Sequence, residues 1–176
     1  MKRISIALIV LMASLQAFAQ NDVISSLFEQ YNDDPNFTKV SISSKMFELF
    51  TKIDASDPED KAVLDAIGKL KGLKVIAADS VADSRRIYQD AVSRIQRKNY
   101  TELMSVKDGT EDMLFMIREK GSIIEELVMV AGGRKSFMVL SLYGEIDLSS
   151  ISKLSKSMNV KGMEQLQKLD DKPKKK

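Results

Sequence analysis

Two side chains are missing from the 176-residue chain altogether: cysteine and histidine. Without histidine the commonest general base is gone, and every Ser-His-Asp triad with it. Without cysteine there is no thiolate nucleophile, no Cys-His pair and no zinc site built from these two ligands. Disulfides are excluded too, so the core must hold by packing alone. Basic residues are spread out except at the very end of the chain. That excludes the basic stripe a nucleic-acid-binding protein needs. The longest apolar run, Ile4 to Leu15, falls short of the roughly 20 residues that span a bilayer.

The chemistry left over is a carboxylate pair or a Ser-Lys dyad. Ser150-Ile151-Ser152-Lys153 matches the S-x-x-K pattern, yet neither companion motif accompanies it and the segment reads as an amphipathic helix. Glu125 and Glu126 are neighbours on an expected strand, so they point to opposite faces. Glu102 and Glu126 are expected on one face with Phe115 between them, a spacing that can raise a pKa. Their expected place is the sheet edge, exposed or paired with lysine. The acidic run Asp54 to Asp60 lacks the central glycine and terminal glutamate of a calcium loop, and helix capping explains it. Met113-x-x-Met116 offers two soft thioethers. On a strand, residues three apart face opposite sides, so the methionines read as adaptable packing instead. The expectation is a protein that is not an enzyme and uses no cofactor or metal. A carboxylate-based hydrolase is the remaining catalytic alternative.

What the chain does have begins with an export signal. Lys2 and Arg3, the apolar Ile4–Leu15 and Ala17-Phe18-Ala19 follow the order of a secretory signal peptide. Cleavage is expected near Ala19-Gln20, releasing a periplasmic or secreted protein with no transmembrane span. Losing Lys2 and Arg3 would take the formal charge from +2 to zero. The expected organisation is a signal peptide over 1–19, one α+β domain over 20–158, and a weakly ordered basic tail over 159–176.

The domain is organised around Tyr100 to Ile146. Three glycine-bearing turns punctuate it: Lys107-Asp108-Gly109-Thr110, Glu119-Lys120-Gly121-Ser122 and Ala131-Gly132-Gly133-Arg134. Asp-Gly and Gly-Gly supply the positive φ that two-residue hairpin loops require. The segments between are short and rich in Val, Ile, Leu, Phe and Met, which predicts a four-stranded antiparallel meander. Two-residue loops would fix the register. Leu103, Leu114, Leu127 and Met138 would then form a transverse row. Met116 and Leu140 lie in a row beside it, and Met129 is placed on the same face. These seven residues form the expected partner or ligand face.

Upstream, helical spacing of Val23, Ile24, Leu27, Phe28 and Tyr31 predicts a helix over Asp22–Tyr31. Phe37 to Ser43 alternates like a strand. Ser43 or Ser44 caps a helix over Lys45–Thr51, with Met46, Phe47, Leu49 and Phe50 inward. Asp57-Pro58-Glu59-Asp60 opens a helix to about Ile67. Gly72 to Ala78 reads as a strand and Ser80 to Lys98 as the longest helix. Ile87, Tyr88, Ala91, Val92 and Ile95 are its buried stripe. Asp147 caps a last helix over Leu148–Met158.

Val40-Ser-Ile-Ser-Ser-Lys-Met-Phe47, Leu70-Lys-Gly-Leu-Lys-Val-Ile76, Tyr100-Thr-Glu-Leu-Met104, Ile124-Glu-Glu-Leu-Val-Met129 and Leu140-Ser-Leu-Tyr-Gly-Glu-Ile146 occur in this order. The ordered set resembles the Bacteroidetes domain-of-unknown-function family 4252. That resemblance implies a small exported protein in a periplasmic Gram-negative setting, and it supplies no catalytic residues. Many members carry a lipobox cysteine, which this chain lacks.

The expected fold is therefore α+β, an antiparallel sheet of about five or six strands ending in a four-stranded meander, with helices packed on it. The expected function is a non-enzymatic envelope protein that binds a protein partner, or itself, through the apolar sheet face. A periplasmic carrier of a small apolar or lipid-like ligand is the alternative.

Overall fold

The structure, a computed structural model, describes residues 23–52 and 57–147. The expected signal peptide, the Leu148–Met158 helix, the Ser150–Lys153 motif and the basic tail lie outside the described residues.

Among the described residues four helices and six strands follow one another: α1 (Val23–Gln30), β1 (Thr38–Ser43), α2 (Ser44–Phe50), α3 (Pro58–Gly68), β2 (Leu70–Ala78), α4 (Ser84–Gln96), β3 (Thr101–Lys107), β4 (Glu111–Lys120), β5 (Ile123–Gly133) and β6 (Phe137–Ile146). The strands form one sheet in the order β1-β2-β6-β5-β4-β3, every pair antiparallel. The fold is α+β. The meander is present, and the two upstream strands add to its last strand, as short strands must find partners.

Both faces of the sheet carry a buried apolar cluster. On the first face, Ile76, Val139, Val130 and Leu114 align across β2, β6, β5 and β4. They pack with Val23, Ile24 and Leu27 of α1 and Ala91 and Ile95 of α4. On the second face Val40, Val75, Leu140, Met129, Phe115 and Met104 form a row through all six strands. Phe47 of α2 and Ile67 of α3 cover part of that face. Each fully buried Leu, Ile, Met or Phe contributes about 1.5–3 kcal/mol, so two filled faces account for a stable cysteine-free core.

The β4–β5 and β5–β6 loops are two residues long as expected, but the register differs because of where they fall. The β4–β5 loop is Gly121-Ser122, one residue later than expected, with Gly121 at φ 65°. The pairing also slips between Arg118↔Glu126 and Glu119↔Ile124, where Glu125 of β5 is the extra residue. Leu114 therefore pairs with Val130 instead of Leu127, three residues along. An odd shift turns every side chain over. The last hairpin also moves: Gly133 N–H donates to the Ser136 carbonyl across Arg134-Lys135. Gly132 stays inside β5 because the Tyr88 ring of α4 lies on it; a Cβ there would stand 2.6 Å from Tyr88 Cβ.

The longest helix starts at Ser84, four residues after the expected Ser80. Val81 N–H donates to the Lys135 carbonyl at 2.8 Å, tying the preceding loop to the β5–β6 hairpin. Ser84 is buried, and its hydroxyl donates to the Gly133 carbonyl at 2.9 Å.

Candidate functional site

The expected partner face does not exist as one surface. Leu114 and Met116 lie under α1 and α4 in the first core. Leu127, Met129 and Leu140 belong to the second core, with Leu103 and Met138 half-buried against it. The odd register shift between β4 and β5 separates them. Met113 and Met116 point to opposite faces, as strand geometry requires, so they cannot share a metal.

Glu126 is also not where the sequence reading put it. Facing it across the strands is Arg118, not a second acid. It is 2% exposed, and three donors meet its carboxylate. Tyr100 O–H donates to Oε2 at 2.6 Å and Ser141 O–H to Oε1 at 2.6 Å. Arg118 Nη2 stands 2.8 Å from Oε2. Arg118 Nη1 also donates to the Tyr100 hydroxyl at 3.2 Å, and its guanidinium lies over the Tyr100 ring at 5.3 Å. A charge taken out of water needs such a complete set of partners. Between them Tyr100, Ser141 and Arg118 engage both oxygens of the Glu126 carboxylate. The cluster ties β4, β5 and β6 to the loop before β3. Sequence reasoning missed it because Tyr100, Arg118, Glu126 and Ser141 are far apart in the chain. Their register on one face is the only signal.

Arg118 also lines a cleft of about 650 Å³ at this end of the sheet. Lys69, Lys71, Glu48, Glu125 and Glu145 line it as well, with Ile123 and Tyr143. Lys69 and Glu145 pair at 2.9 Å, and Glu48 pairs with Lys45 at 2.7 Å. The cleft is open and its lining is charged. It is not the enclosed apolar cavity that a lipid carrier would need. Among the described residues no group of three or more acidic side chains is placed to hold a metal. The Asp57 carbonyl accepts the Lys61 N–H at the start of α3, and positions 54–56 of the acidic run lie outside the described residues.

The apolar surface that remains is elsewhere. Five large apolar side chains are exposed among the described residues: Val40, Met46, Leu49, Phe50 and Ile123, each between 41% and 51%. Four of them fall on β1 and α2. Met46, Leu49 and Phe50 sit at the i, i+3 and i+4 positions of one helical face. The sequence reading had all four apolar residues of α2 inward, but only Phe47 is buried. One short helix has two faces and α2 is apolar on both, so composition could not show which face stays out.

No helix among the described residues is long and apolar enough to cross a membrane. A family model described as Domain of unknown function (DUF4252) matches residues 31–154, which include every strand and the α2 corner. No curated protein and no solved structure matches the chain.

Proposed function

We propose that this chain, which belongs to the DUF4252 family, is a non-enzymatic exported protein of the cell envelope. It binds a protein partner through the corner formed by β1 and α2. The observation that carries this reading is the concentration of exposed apolar side chains at Val40, Met46, Leu49 and Phe50 on a protein whose sheet is packed on both faces. Exposed apolar patches on a well-packed protein mark contact surfaces. Export rests on the signal-peptide pattern of residues 1–19.

The test is capture from a native envelope extract by immobilised protein. Wild type is compared with Met46→Ser/Leu49→Ser and with Ile123→Ser. Binding lost only in the α2 variant supports the corner as the contact surface. A partner captured equally by all three proteins contradicts it. Export is tested by sequencing the N-terminus of protein from the periplasmic fraction, where a start near Gln20 is expected. An intact Met1 in the cytoplasmic fraction contradicts export.

The carrier reading has one support, the 650 Å³ cleft. Its charged lining suits a polar ligand better than a lipid.

A further inference from the structure

A sheet meets other chains most readily at its edges. This sheet has two, β1 and β3, and they are built differently. The pairing of β3 with β4 shifts between Glu102 and Met104. Such a bulge bends a strand and blunts its edge. Glu102 and Lys107 add exposed charge there. By contrast β1 pairs with β2 over six consecutive positions, Thr38↔Ala77 to Ser43↔Gly72, without a shift. It contains no proline and no glycine, and its one charge is Lys39. That ammonium does not guard the edge. It donates to the Tyr31 carbonyl at 2.8 Å and to the Asn32 carbonyl, just beyond the end of α1. Among the described residues no backbone hydrogen bond reaches β1 other than from β2. Thr38, Val40, Ser41 and Ser43 are exposed.

We infer that a second copy of this chain takes this edge, β1 against β1, antiparallel about a two-fold axis through Val40. The inference rests on reading the β1–α2 corner as a contact surface, and it names the chain itself as one occupant. Charge decides for a copy over a charged partner. In this register Lys39 faces Ser41, Thr38 faces Ile42 and Val40 faces Val40, so no like charges meet. On α2, Lys45 and Glu48 already neutralise each other at 2.7 Å. Bringing two corners together thus confronts no uncompensated charge. A two-fold contact is self-complementary by construction. Two six-stranded sheets become one continuous sheet. The strand groups left open on each β1 are then hydrogen-bonded, and the exposed Val40 of each copy is covered.

The absence of cysteine makes the test clean. Residues facing each other across antiparallel strands have Cα atoms about 4.5–5.5 Å apart, within the span of a disulfide. Val40→Cys should therefore cross-link to itself under mild oxidation, giving the covalent dimer as the main species. Ile123→Cys is the control, a similarly exposed position away from the edge, and it should stay monomeric. Equal cross-linking of the two variants, or none in either, overturns the proposal. Sedimentation equilibrium gives a second reading. Wild type should be dimeric at concentrations where Val40→Lys, with two ammonium groups on the axis and an unchanged melting curve, is monomeric. A monomeric wild type overturns the proposal. Failure here leaves the envelope capture experiment on Met46 and Leu49 standing, because that experiment reads binding to a different protein.

Discussion

The hydroxyl of Tyr100 donates a 2.6 Å hydrogen bond to Glu126, a carboxylate only 2% exposed at the centre of the meander. Both also engage Arg118, so the three side chains act as one unit with Ser141. Removing one partner of a buried ion pair costs about 3–5 kcal/mol. The Arg118 side chain is 37% exposed. Solvent screening then brings the expected loss for Arg118→Ala to about 1–3 kcal/mol. Urea unfolding should show a lower midpoint with an unchanged slope. The double change Glu126→Leu/Arg118→Met removes the buried charge itself and should be less damaging than Arg118→Ala alone. The opposite order would show that the pair is worth more than its desolvation.

Leu114 and Leu127 sit in separate cores on opposite faces. Each change to Ala should cost about 2–5 kcal/mol, as large-to-small core changes do. Because the two share no partners, their effects should add within about 0.5 kcal/mol in the double variant. Had the β4–β5 loop been Lys120-Gly121 with no bulge, the pair would be cross-strand neighbours with a measurable coupling. A coupling above about 1 kcal/mol would restore the single face.

The β3–β4 loop gives a pH-dependent signature. The Asp108 carboxylate accepts hydrogen bonds from the Thr110 hydroxyl at 2.7 Å and from the Thr110 and Glu111 N–H groups at 2.9 and 2.8 Å. These bonds, the Thr110 hydroxyl first, hold its pKa down at about 2 from an ordinary 3.8. A carboxylate depressed in the folded state stabilises above its unfolded pKa and loses that contribution as pH falls through the folded one. Wild type should therefore lose part of its stability between pH 3.8 and about 2. In Asp108→Asn that part of the pH dependence should be missing, and in Thr110→Val it should shrink. Melting temperatures measured across this pH range check it, and identical profiles for the three proteins would contradict it.

Element types were readable from the residues because apolar spacing switches between the helical and strand periods along the chain. The stripe of Ile87, Ala91 and Ile95 and the strand at Val75 and Ile76 are plain examples. Register was not readable. The bulge at Glu125, opposite Arg118 and Glu119, carries no glycine or proline to announce it. Gly132 and Gly133 look like a turn, yet the first accommodates the Tyr88 ring and the true turn centres on Arg134-Lys135. A glycine that makes room for a neighbour and one that supplies a positive φ look alike in sequence. The grouping of the seven apolar residues on one face fails for the same reason. The slipped pairing puts Leu114 and Met116 on one face and the other five on the opposite one, and α2 buries only Phe47.

Which apolar side chains meet water decides where a contact surface can lie, and the methionines report that directly. Met46 is 47% exposed, while Met116 and Met129 are fully buried on opposite faces. The measurement is peroxide oxidation of the folded Val40→Lys variant, used so that self-association does not shield Met46. Each sulfoxide is followed in time by peptide mass spectrometry. Met46 should oxidise first, and Met116 and Met129 should remain reduced until the protein unfolds. Oxidation of Met116 or Met129 as fast as Met46 would mean an open sheet face and would contradict both the packing and the placement of the contact surface.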